Sequence, residues 1–187
     1  MKTKELAFVS MMAAIMGVFG LFPPIMLTFT PVPIVLQNFV VMLSGGLLGA
    51  RLGALSQGLF LLLIAAGMPL LTGGRGGFSV FVGPSGGFIL SYPLAAFVIG
   101  FIVHKIIKKQ NFLNIFSATI VGGILTTYAV GVPVQAAFMN ISFLHALKLS
   151  VVYLPGDLIK AAAASFFILK LARVLRPKLK ITTSKAS

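Results

Sequence analysis

The chain has 187 residues, of which 58% are hydrophobic and 9% are charged. Soluble domains carry about 25% charged residues, so this composition excludes a soluble globule and predicts an integral membrane protein. It contains no cysteine, which excludes disulfides, thiolate nucleophiles and cysteine-ligated metals. Its net charge of +13 is concentrated at the ends of apolar runs, so it indicates membrane orientation and argues against a nucleic-acid groove that tracks phosphates.

Apolar runs recur along the whole length and predict an all-α membrane protein with six transmembrane helices. A span needs about 20 apolar residues, and we assign the six spans to 4–22, 34–50, 53–67, 87–106, 114–137 and 156–174. The whole chain, 1–187, then forms a single polytopic membrane domain with polar tails at 1–3 and 177–187. Such a chain has no aqueous domain in which to house an ATPase or a soluble enzyme core.

The first span carries small residues at four positions. We interpret it as a transmembrane helix rather than a signal peptide, because no clean small-residue cleavage site precedes Pro23 and further spans follow. Ser10 with Ala14, and Ala13 with Gly17, lie four residues apart and form two adjoining faces that permit close helix packing. These faces would pack either within the protein or against a partner, and the residues themselves leave both readings open.

Two loops interrupt the apolar pattern. Residues 22–33 contain four prolines and are expected to be extended, because proline disfavours helix in the residue before it. The loop at 73–77 contains four glycines and Arg75 as its only charge, and a second glycine cluster follows at 83–87. Because glycine permits close backbone approach, the first loop is either a flexible tip with a solvated Arg75 or a lid whose arginine or backbone amides meet an anionic group.

The distribution of charge predicts the orientation. Six spans leave only Arg75 and Lys148 on one side of the membrane, and Lys160 lies within a span. The other side holds twelve lysine and arginine residues: Lys2, Lys4, Arg51, Lys105, Lys108, Lys109, Lys170, Arg173, Arg176, Lys178, Lys180 and Lys185. This bias predicts that both termini are cytoplasmic and that the proline loop and the glycine loop face outward.

Residues 140–154 form a partly amphipathic segment, and the sequence leaves open whether it is a helix of its own.

The last span begins with the strongest candidate for a site. The chain has two acidic residues, and one of them, Asp157, opens the apolar run 158–171, with Lys160 three residues later. A charge at the bilayer centre costs about 2.5–3.5 kcal/mol, and residues at i and i+3 share a helix face. The pair is therefore either a structural ion pair or a polar site for a ligand that offers N–H donors and a carbonyl or carboxylate.

The segment 83–87 matches the G-x-S-x-G pattern of serine hydrolases, with Ser85 at the nucleophile position. A serine nucleophile needs a base within hydrogen-bond reach. His104 is expected a helix length away at the cytoplasmic end of its span, and His145 lies outside any clear span. No Gly-Lys dipeptide occurs, so a nucleotide-binding P-loop is excluded as well. We expect no enzyme activity and no catalytic residue, which makes an intramembrane serine hydrolase the least favoured alternative.

Other polar and aromatic side chains lie in the predicted outer half. The polar candidates for ligand contacts, each of which would alternatively satisfy a neighbouring backbone group, are Gln37, Asn38, Tyr92, Asn140 and Tyr153. The candidates for the apolar wall that ligand pockets usually have are Phe29, Phe78, Phe81 and Phe88.

Several motifs together resemble one known family. They are TPVPIVLQ at 30–37, LGARLG at 48–53, the glycine clusters at 73–77 and 83–87, GVP at 131–133 and LPGDLIK at 154–160. Over nearly the whole chain, to about residue 176, the sequence is similar to the biotin-specific substrate-binding (S) components of energy-coupling factor (ECF) vitamin transporters, the BioY family. Each motif alone is weak, and the combination is specific.

The resemblance implies an S-component fold of six helices, a biotin site near the outer face, and no ATPase, metal or cofactor of the chain's own. It implies a partner module made of a transmembrane coupling (T) subunit and two cytoplasmic ATPases that use ATP. It also implies that Asp157 and Lys160 matter for biotin. The first span resembles the A-x-x-x-A docking motif of S components, with Ser10 in place of the first alanine, so Ser10, Ala13, Ala14 and Gly17 are expected to dock the partner.

We therefore expect a biotin-capture subunit of an importer in the cytoplasmic membrane. Asp157 is expected to accept from the ureido N–H groups of biotin, Lys160 to donate to a ligand oxygen, and Arg75 to meet the carboxylate. The glycine loop is expected to close over the site, and the remaining expected substrate-binding residues are Gln37, Tyr92, Gly74, Ser79 and Ser85. A stand-alone secondary permease for a small vitamin is the main alternative, although the paired half-repeats of many such permeases are not visible.

Overall fold

The computed structural model describes the backbone of residues 3–179 and the side chains of residues 3–172. Its helices are α1 (Thr3–Phe19), α2 (Gln37–Leu48), α3 (Ala50–Ala65), α4 (Gly86–Leu90), α5 (Tyr92–Phe101), α6 (Phe112–Thr119), α7 (Thr126–Met139), α8 (Phe143–Ser150) and α9 (Leu154–Leu179). Two strands, β1 (Ile25–Leu27) and β2 (Thr30–Ile34), form a hairpin between α1 and α2. Short 3₁₀ turns lie at Phe78–Phe81 and Val151–Tyr153, and π-helical segments at Ile102–Ile106 and Ile120–Leu125.

All six ranges predicted as spans contain helix. The π-helical segment at Ile120–Leu125 joins α6 to α7, and the 3₁₀ turn at Val151–Tyr153 joins α8 to α9. Two stretches of the described residues are therefore long and apolar enough to cross a membrane, Phe112–Met139 and Phe143–Ala172. Three other apolar helices are shorter: Gln37–Leu48, Ala50–Ala65 and Tyr92–Ile106.

Two predicted boundaries are corrected. The second span begins at Gln37 rather than at residue 34, because Ile34 belongs to β2 and a turn follows it. Helix α9 continues to Leu179, so it includes the first part of the predicted polar tail at 177–187. The rest of that tail and residues 1–2 lie outside the described residues.

A short hairpin is added to the predicted helical fold. Proline lacks an N–H donor and has a fixed φ, so Pro31 and Pro33 give the extended backbone that the sequence predicts. That extended segment finds a partner in β1, with which it pairs antiparallel through Ile25 opposite Ile34 and Leu27 opposite Thr30. Prolines are tolerated at the edge of a sheet, where their missing N–H breaks no ladder bond, and a two-stranded hairpin consists of edge strands.

Residues 140–154 are helical over most of their length. Asn140 ends α7 in the left-handed conformation, with φ 53°, so this polar residue has a local structural role and does not line the cavity described below. The side chain of Ser142 caps α8 by accepting from the backbone N–H of His145 at 3.3 Å. The segment thus adds a short helix that leads directly into α9.

The core lies where α2, α3, α5 and α9 meet, and its helices approach closely. A Cβ on Gly45 of α2 would lie 2.4 Å from the carbonyl oxygen of Ala96 in α5, so only glycine permits this contact. The turn between α2 and α3 is the single residue Gly49, whose φ of 84° lies in the region that favours glycine.

The small residues of α1 lie on one face of the helix but differ in burial. Ala13 is 2% exposed. Gly17 is also buried, and a Cβ added there would lie 3.2 Å from Cδ2 of Leu70. Ser10 and Ala14 are exposed. Ser10 and Ala14 thus form the exposed edge of this face, and Ala13 and Gly17 form its buried edge. Docking of a partner by all four residues stays a prediction.

Candidate functional site

A pocket, here called the inner cavity, lies between β2 and the first turns of α9. Residues 32–35 form one wall, and the starts of α2 and α5 form others. The loop after α3 contributes Leu71 and Arg75, and α7 contributes Tyr128. Of the residues predicted to bind substrate, the inner cavity is lined by Asp157, Lys160, Arg75, Gln37, Tyr92 and Ser85.

The ion pair predicted from the i, i+3 spacing is formed. Nζ of Lys160 lies 2.9 Å from Oδ1 of Asp157, and the two residues are 7% and 3% exposed. Asp157 is the fourth residue of α9, in the first helical turn, where the helix dipole favours an anion. The hydroxyl of Tyr128 donates to Oδ2 of Asp157 at 2.8 Å. Two buried charges are stable together in this geometry, because each is paired and hydrogen-bonded.

The ion pair keeps unused hydrogen-bonding capacity. A carboxylate oxygen can accept two hydrogen bonds and an ammonium can donate three. Within the described residues, each oxygen of Asp157 accepts one bond and Lys160 donates one. A ligand in the inner cavity can therefore donate to both oxygens of Asp157 and accept from Lys160 while the ion pair stays intact.

An aromatic wall surrounds the ion pair. The chain has three tyrosines, and all of them, Tyr92, Tyr128 and Tyr153, line the inner cavity. The ring of Phe88 meets Tyr128 edge-on at 6.1 Å between centroids and Tyr153 at 6.5 Å. A Cβ on Gly131 would lie 2.4 Å from the Phe88 ring, so glycine at 131 lets this ring pack against α7. The wall suits a flat or bicyclic apolar group beside the charges.

A polar network fastens the hairpin to the helices behind it. The hydroxyls of Thr30 in β2 and Tyr153 are hydrogen-bonded. The amide of Gln135 in α7 donates to Thr30 Oγ1 at 3.3 Å and accepts from Ser150 of α8 at 3.4 Å. Gln135 and Ser150 are fully buried. We call these four residues the hairpin latch; they hold the wall made by residues 32–35 over the cavity.

Gln37 lies at the inner cavity, but its amide is used by the protein itself. Its Nε2 donates to the carbonyl oxygens of Met16 and Leu70, at 3.1 and 3.0 Å. Its Oε1 accepts from the backbone N–H and the hydroxyl of Thr72, at 3.3 and 3.1 Å. Two donors and two acceptor sites are the full capacity of the amide. Gln37 therefore positions the loop that carries Arg75.

The glycine loop is a compact turn. Leu71 and Arg75 pair as a short antiparallel bridge, and Gly73 and Gly74 between them have φ values of 82° and 69°. Arg75 is exposed, and its Nε donates to the carbonyl oxygen of Thr72 at 3.3 Å. Arg75 lines both the inner cavity and a second depression further out, here called the outer cavity.

Gly74 and Ser79 line only the outer cavity, whereas Ser85 lines both cavities. The histidines do not approach Ser85. Nε2 of His104 is 3.0 Å from the carbonyl oxygen of Gly46 in the core, and His145 is exposed on α8. The nucleophile–base pair that a serine hydrolase needs is not assembled among these described residues.

Some residues that line the inner cavity were not predicted from the sequence. These residues are Tyr128, Leu71, Ile89 and residues 32–35 of the wall. Of the aromatic candidates, only Phe88 lines the inner cavity, while Phe29 and Phe78 are exposed outside it. The signal for Tyr128 was its rarity, because a chain with only three tyrosines has few hydroxyls to offer within its spans.

The comparisons with known proteins agree with each other. The BioY family model matches residues 1–177. The probable biotin transporter BioY of Bacillus subtilis (strain 168) is 46% identical over 175 residues, which cover 94% of both chains. The biotin transporter BioY of Rhizobium etli is 39% identical and covers 88% of this chain and 91% of that protein.

The fold also has a match among solved structures. The crystal structure of the S-component for biotin from an ECF-type ABC transporter superimposes with a TM-score of 0.87 at 36% sequence identity, covering 92% of this chain and 95% of that one. The fold of the described residues is thus that of an ECF S component, and both fold and family are those of a transport subunit. On these matches, together with the charged and aromatic cavity, the chain belongs to the BioY family.

Proposed function

We propose that this protein is the biotin-binding, substrate-capture subunit of an ECF-type importer. The observation that carries the proposal is the buried Asp157–Lys160 ion pair, which lines an aromatic-walled cavity and keeps free hydrogen-bonding capacity. The chain's membership of the BioY family supports biotin as the ligand. No catalytic step, metal or cofactor of the chain's own is needed for capture.

The chemistry of biotin suits this cavity. Its ureido ring has two N–H donors and one carbonyl, and it is fused to an apolar thioether ring that carries a valerate chain. We expect the ureido N–H groups to donate to Asp157 and the ureido carbonyl to accept from Lys160. The fused rings would lie against Phe88 and Tyr128, and the valerate carboxylate would reach Arg75. Charge-assisted hydrogen bonds of this kind are stronger than neutral ones.

The remaining predicted substrate-binding residues have supporting roles in this proposal. Tyr92 and Ser85 complete the wall of the inner cavity, and Gln37 holds the Arg75 loop in place. Gly74 and Ser79 lie further out, beside Arg75. They would contact only a ligand that extends beyond the inner cavity.

We propose a single polytopic domain, 1–187, in the cytoplasmic membrane, with six membrane crossings and both termini cytoplasmic. The bias of lysine and arginine toward one side supports this orientation. The side chains of six of these twelve residues lie outside the part of the chain that the structure describes: Lys2, Arg173, Arg176, Lys178, Lys180 and Lys185. The two long apolar stretches, Phe112–Met139 and Phe143–Ala172, support the membrane location.

We further propose that transport requires a transmembrane coupling (T) subunit and two ATPases. The chain has no nucleotide-binding loop, so the energy would come from partners. The exposed small residues Ser10 and Ala14 form a face of α1 against which a helix of the coupling subunit can pack closely.

Biotin binding to the purified protein tests the proposal. Asp157→Asn and Lys160→Ala each remove hydrogen bonds between a charged group and the ureido ring, which contribute about 1.5–3 kcal/mol apiece. We expect at least about 100-fold weaker binding by isothermal titration calorimetry for each variant. Lys170→Ala, which removes an exposed cation far from the cavity, is the control and should bind like the parent. Parent-like affinity in both cavity variants would refute the assignment.

A further inference from the structure

The inner cavity continues outward into a second space. The outer cavity, which is open to solvent, lies between the start of β2 and the two glycine-rich loops. It shares Arg75 and Ser85 with the inner cavity. On the hairpin side, Pro31 lines the outer cavity and the next residue, Val32, lines the inner one. The two cavities therefore adjoin at a ring formed by β2, Arg75 and Ser85.

The walls of the outer cavity are small and almost uncharged. Beside Arg75 they consist of glycines, Ser79, Pro84 and short aliphatic side chains. No atom lies within 4 Å of the position that a Cβ would take on Gly83. The space is therefore suited to a neutral, flexible group, and a Cβ added at Gly83, which lines it, would meet no atom of the protein within 4 Å.

Arg75 stands at the ring and does not require a charged ligand. Its Nε donates to Thr72, and its other guanidinium N–H groups make no hydrogen bond within the described residues. A carboxylate and an amide carbonyl both accept from these groups. Hydrogen bonds to charged groups contribute about 1.5–3 kcal/mol and neutral ones about 0.5–1.5 kcal/mol, so an amide would bind about tenfold more weakly than an acid.

We propose that the outer cavity is a second subsite, which receives a neutral substituent linked through an amide to the carboxyl end of the ligand. The protein would then bind N-alkyl amides of biotin as well as free biotin. This inference rests on the proposed function, with the ureido ring at Asp157 and Lys160 and the valerate chain directed toward Arg75. An alkyl group on the amide would pass the ring and lie against Gly83 and Ser79.

The test compares biotin with its N-butylamide by isothermal titration calorimetry on the purified full chain. The parent protein should bind the amide within about tenfold of biotin. Gly83→Phe adds bulk at the wall of the outer cavity, so it should leave biotin affinity within about twofold and weaken the amide at least tenfold further, because overpacking is costly. Ser79→Trp obstructs the same cavity from another position and should act in the same way.

Gly58→Phe is the matched control. Gly58 lies in α3, away from both cavities, and a Cβ there also meets no atom within 4 Å, so the affinities of both ligands should be unchanged. If biotin itself fails to bind the parent, the proposed function is wrong. If biotin binds but the amide binds more than 1,000-fold more weakly (about 4 kcal/mol), the second subsite is wrong. The second subsite would also be wrong if neither Gly83→Phe nor Ser79→Trp changed the affinity for the amide.

Discussion

Tyr128 shows how one side chain can tune the charged site. Its hydroxyl donates to Oδ2 of Asp157 while Lys160 donates to Oδ1, so the carboxylate is fixed from both sides before a ligand enters. A carboxylate held in advance loses less rotational freedom on binding. The ring of Tyr128 also packs edge-on against Phe88, which links the charged part of the inner cavity to its apolar wall.

Tyr128→Phe separates the hydroxyl from the ring. The ring contact with Phe88 is kept, while a hydrogen bond to a charged group, worth about 1.5–3 kcal/mol, is lost. We expect biotin affinity to fall about tenfold or more, measured by isothermal titration calorimetry. Thr126→Val in the same helix removes an exposed hydroxyl that bonds to Val121, and it should bind like the parent. Unchanged or tighter binding by Tyr128→Phe would show that the hydroxyl does not hold Asp157 for the ligand.

At the residue scale, the sequence predicted which charged side chains pair, but it did not predict which apolar-span side chains face the cavity. Asp157 and Lys160 follow from spacing alone, because residues at i and i+3 share a helix face and two buried charges need partners. Tyr128 does not follow, since an almost wholly apolar span has no polar stripe to show which side faces the cavity. The same reason applies to α1, where the small residues share one face and only packing decides that Gly17 is buried and Ala14 is exposed.

At the scale of elements, the hairpin and α7 act together. The latch formed by Thr30, Gln135, Ser150 and Tyr153 joins β2 to α7, α8 and the turn before α9. Pro31 and Pro33 predicted extended backbone, but its pairing with 25–27 depends on where the chain turns, which sequence periodicity does not specify. The latch likewise joins residues 105 positions apart, so no local pattern could have predicted it.

Gln135→Met tests the latch with a side chain of similar length. It removes the bonds to Thr30 and Ser150, each worth about 0.5–1.5 kcal/mol, so β2 should open more easily. We expect faster hydrogen–deuterium exchange in residues 25–34 and a biotin dissociation rate raised about tenfold. The exchange of α9 should stay unchanged.

The control for this prediction is Thr119→Val. It removes another buried hydroxyl contact, the one to Ser165 between α6 and α9, at a distance from the hairpin. If both variants accelerate exchange at 25–34 equally, or if Gln135→Met leaves exchange and dissociation unchanged, the network does not hold the cavity wall.

At the scale of the whole molecule, capture and transport are expected to use opposite parts of the fold. The inner cavity lies at the end where β2 meets the start of α9, while Ser10 and Ala14 are exposed along α1. Gln37 connects these parts physically, because its amide bonds both to Met16 of α1 and to Thr72 beside Arg75. A change to the exposed side of α1 should therefore affect partner docking while leaving the cavity intact.

Ala14→Leu makes this separation testable. The added side chain points away from the core, so biotin binding should stay within about twofold, whereas close helix packing against the coupling subunit, which needs small residues, should be lost. ATP-driven biotin uptake in cells that contain the coupling subunit and ATPases should fall at least tenfold, because overpacking an interface costs about 1–3 kcal/mol. Ala129→Leu, which makes the same change at an exposed position of α7, is the control for added bulk away from α1.

Gly17→Leu is unsuitable for the same purpose, because it would collide with Leu70 inside the protein and lower the free energy of unfolding. Normal uptake by Ala14→Leu would exclude this face of α1 as the docking surface. Uptake that persists when the ATPases are absent would instead support a stand-alone permease. The experiment thus distinguishes the two transport mechanisms, since a permease has no coupling subunit for Ala14 to contact.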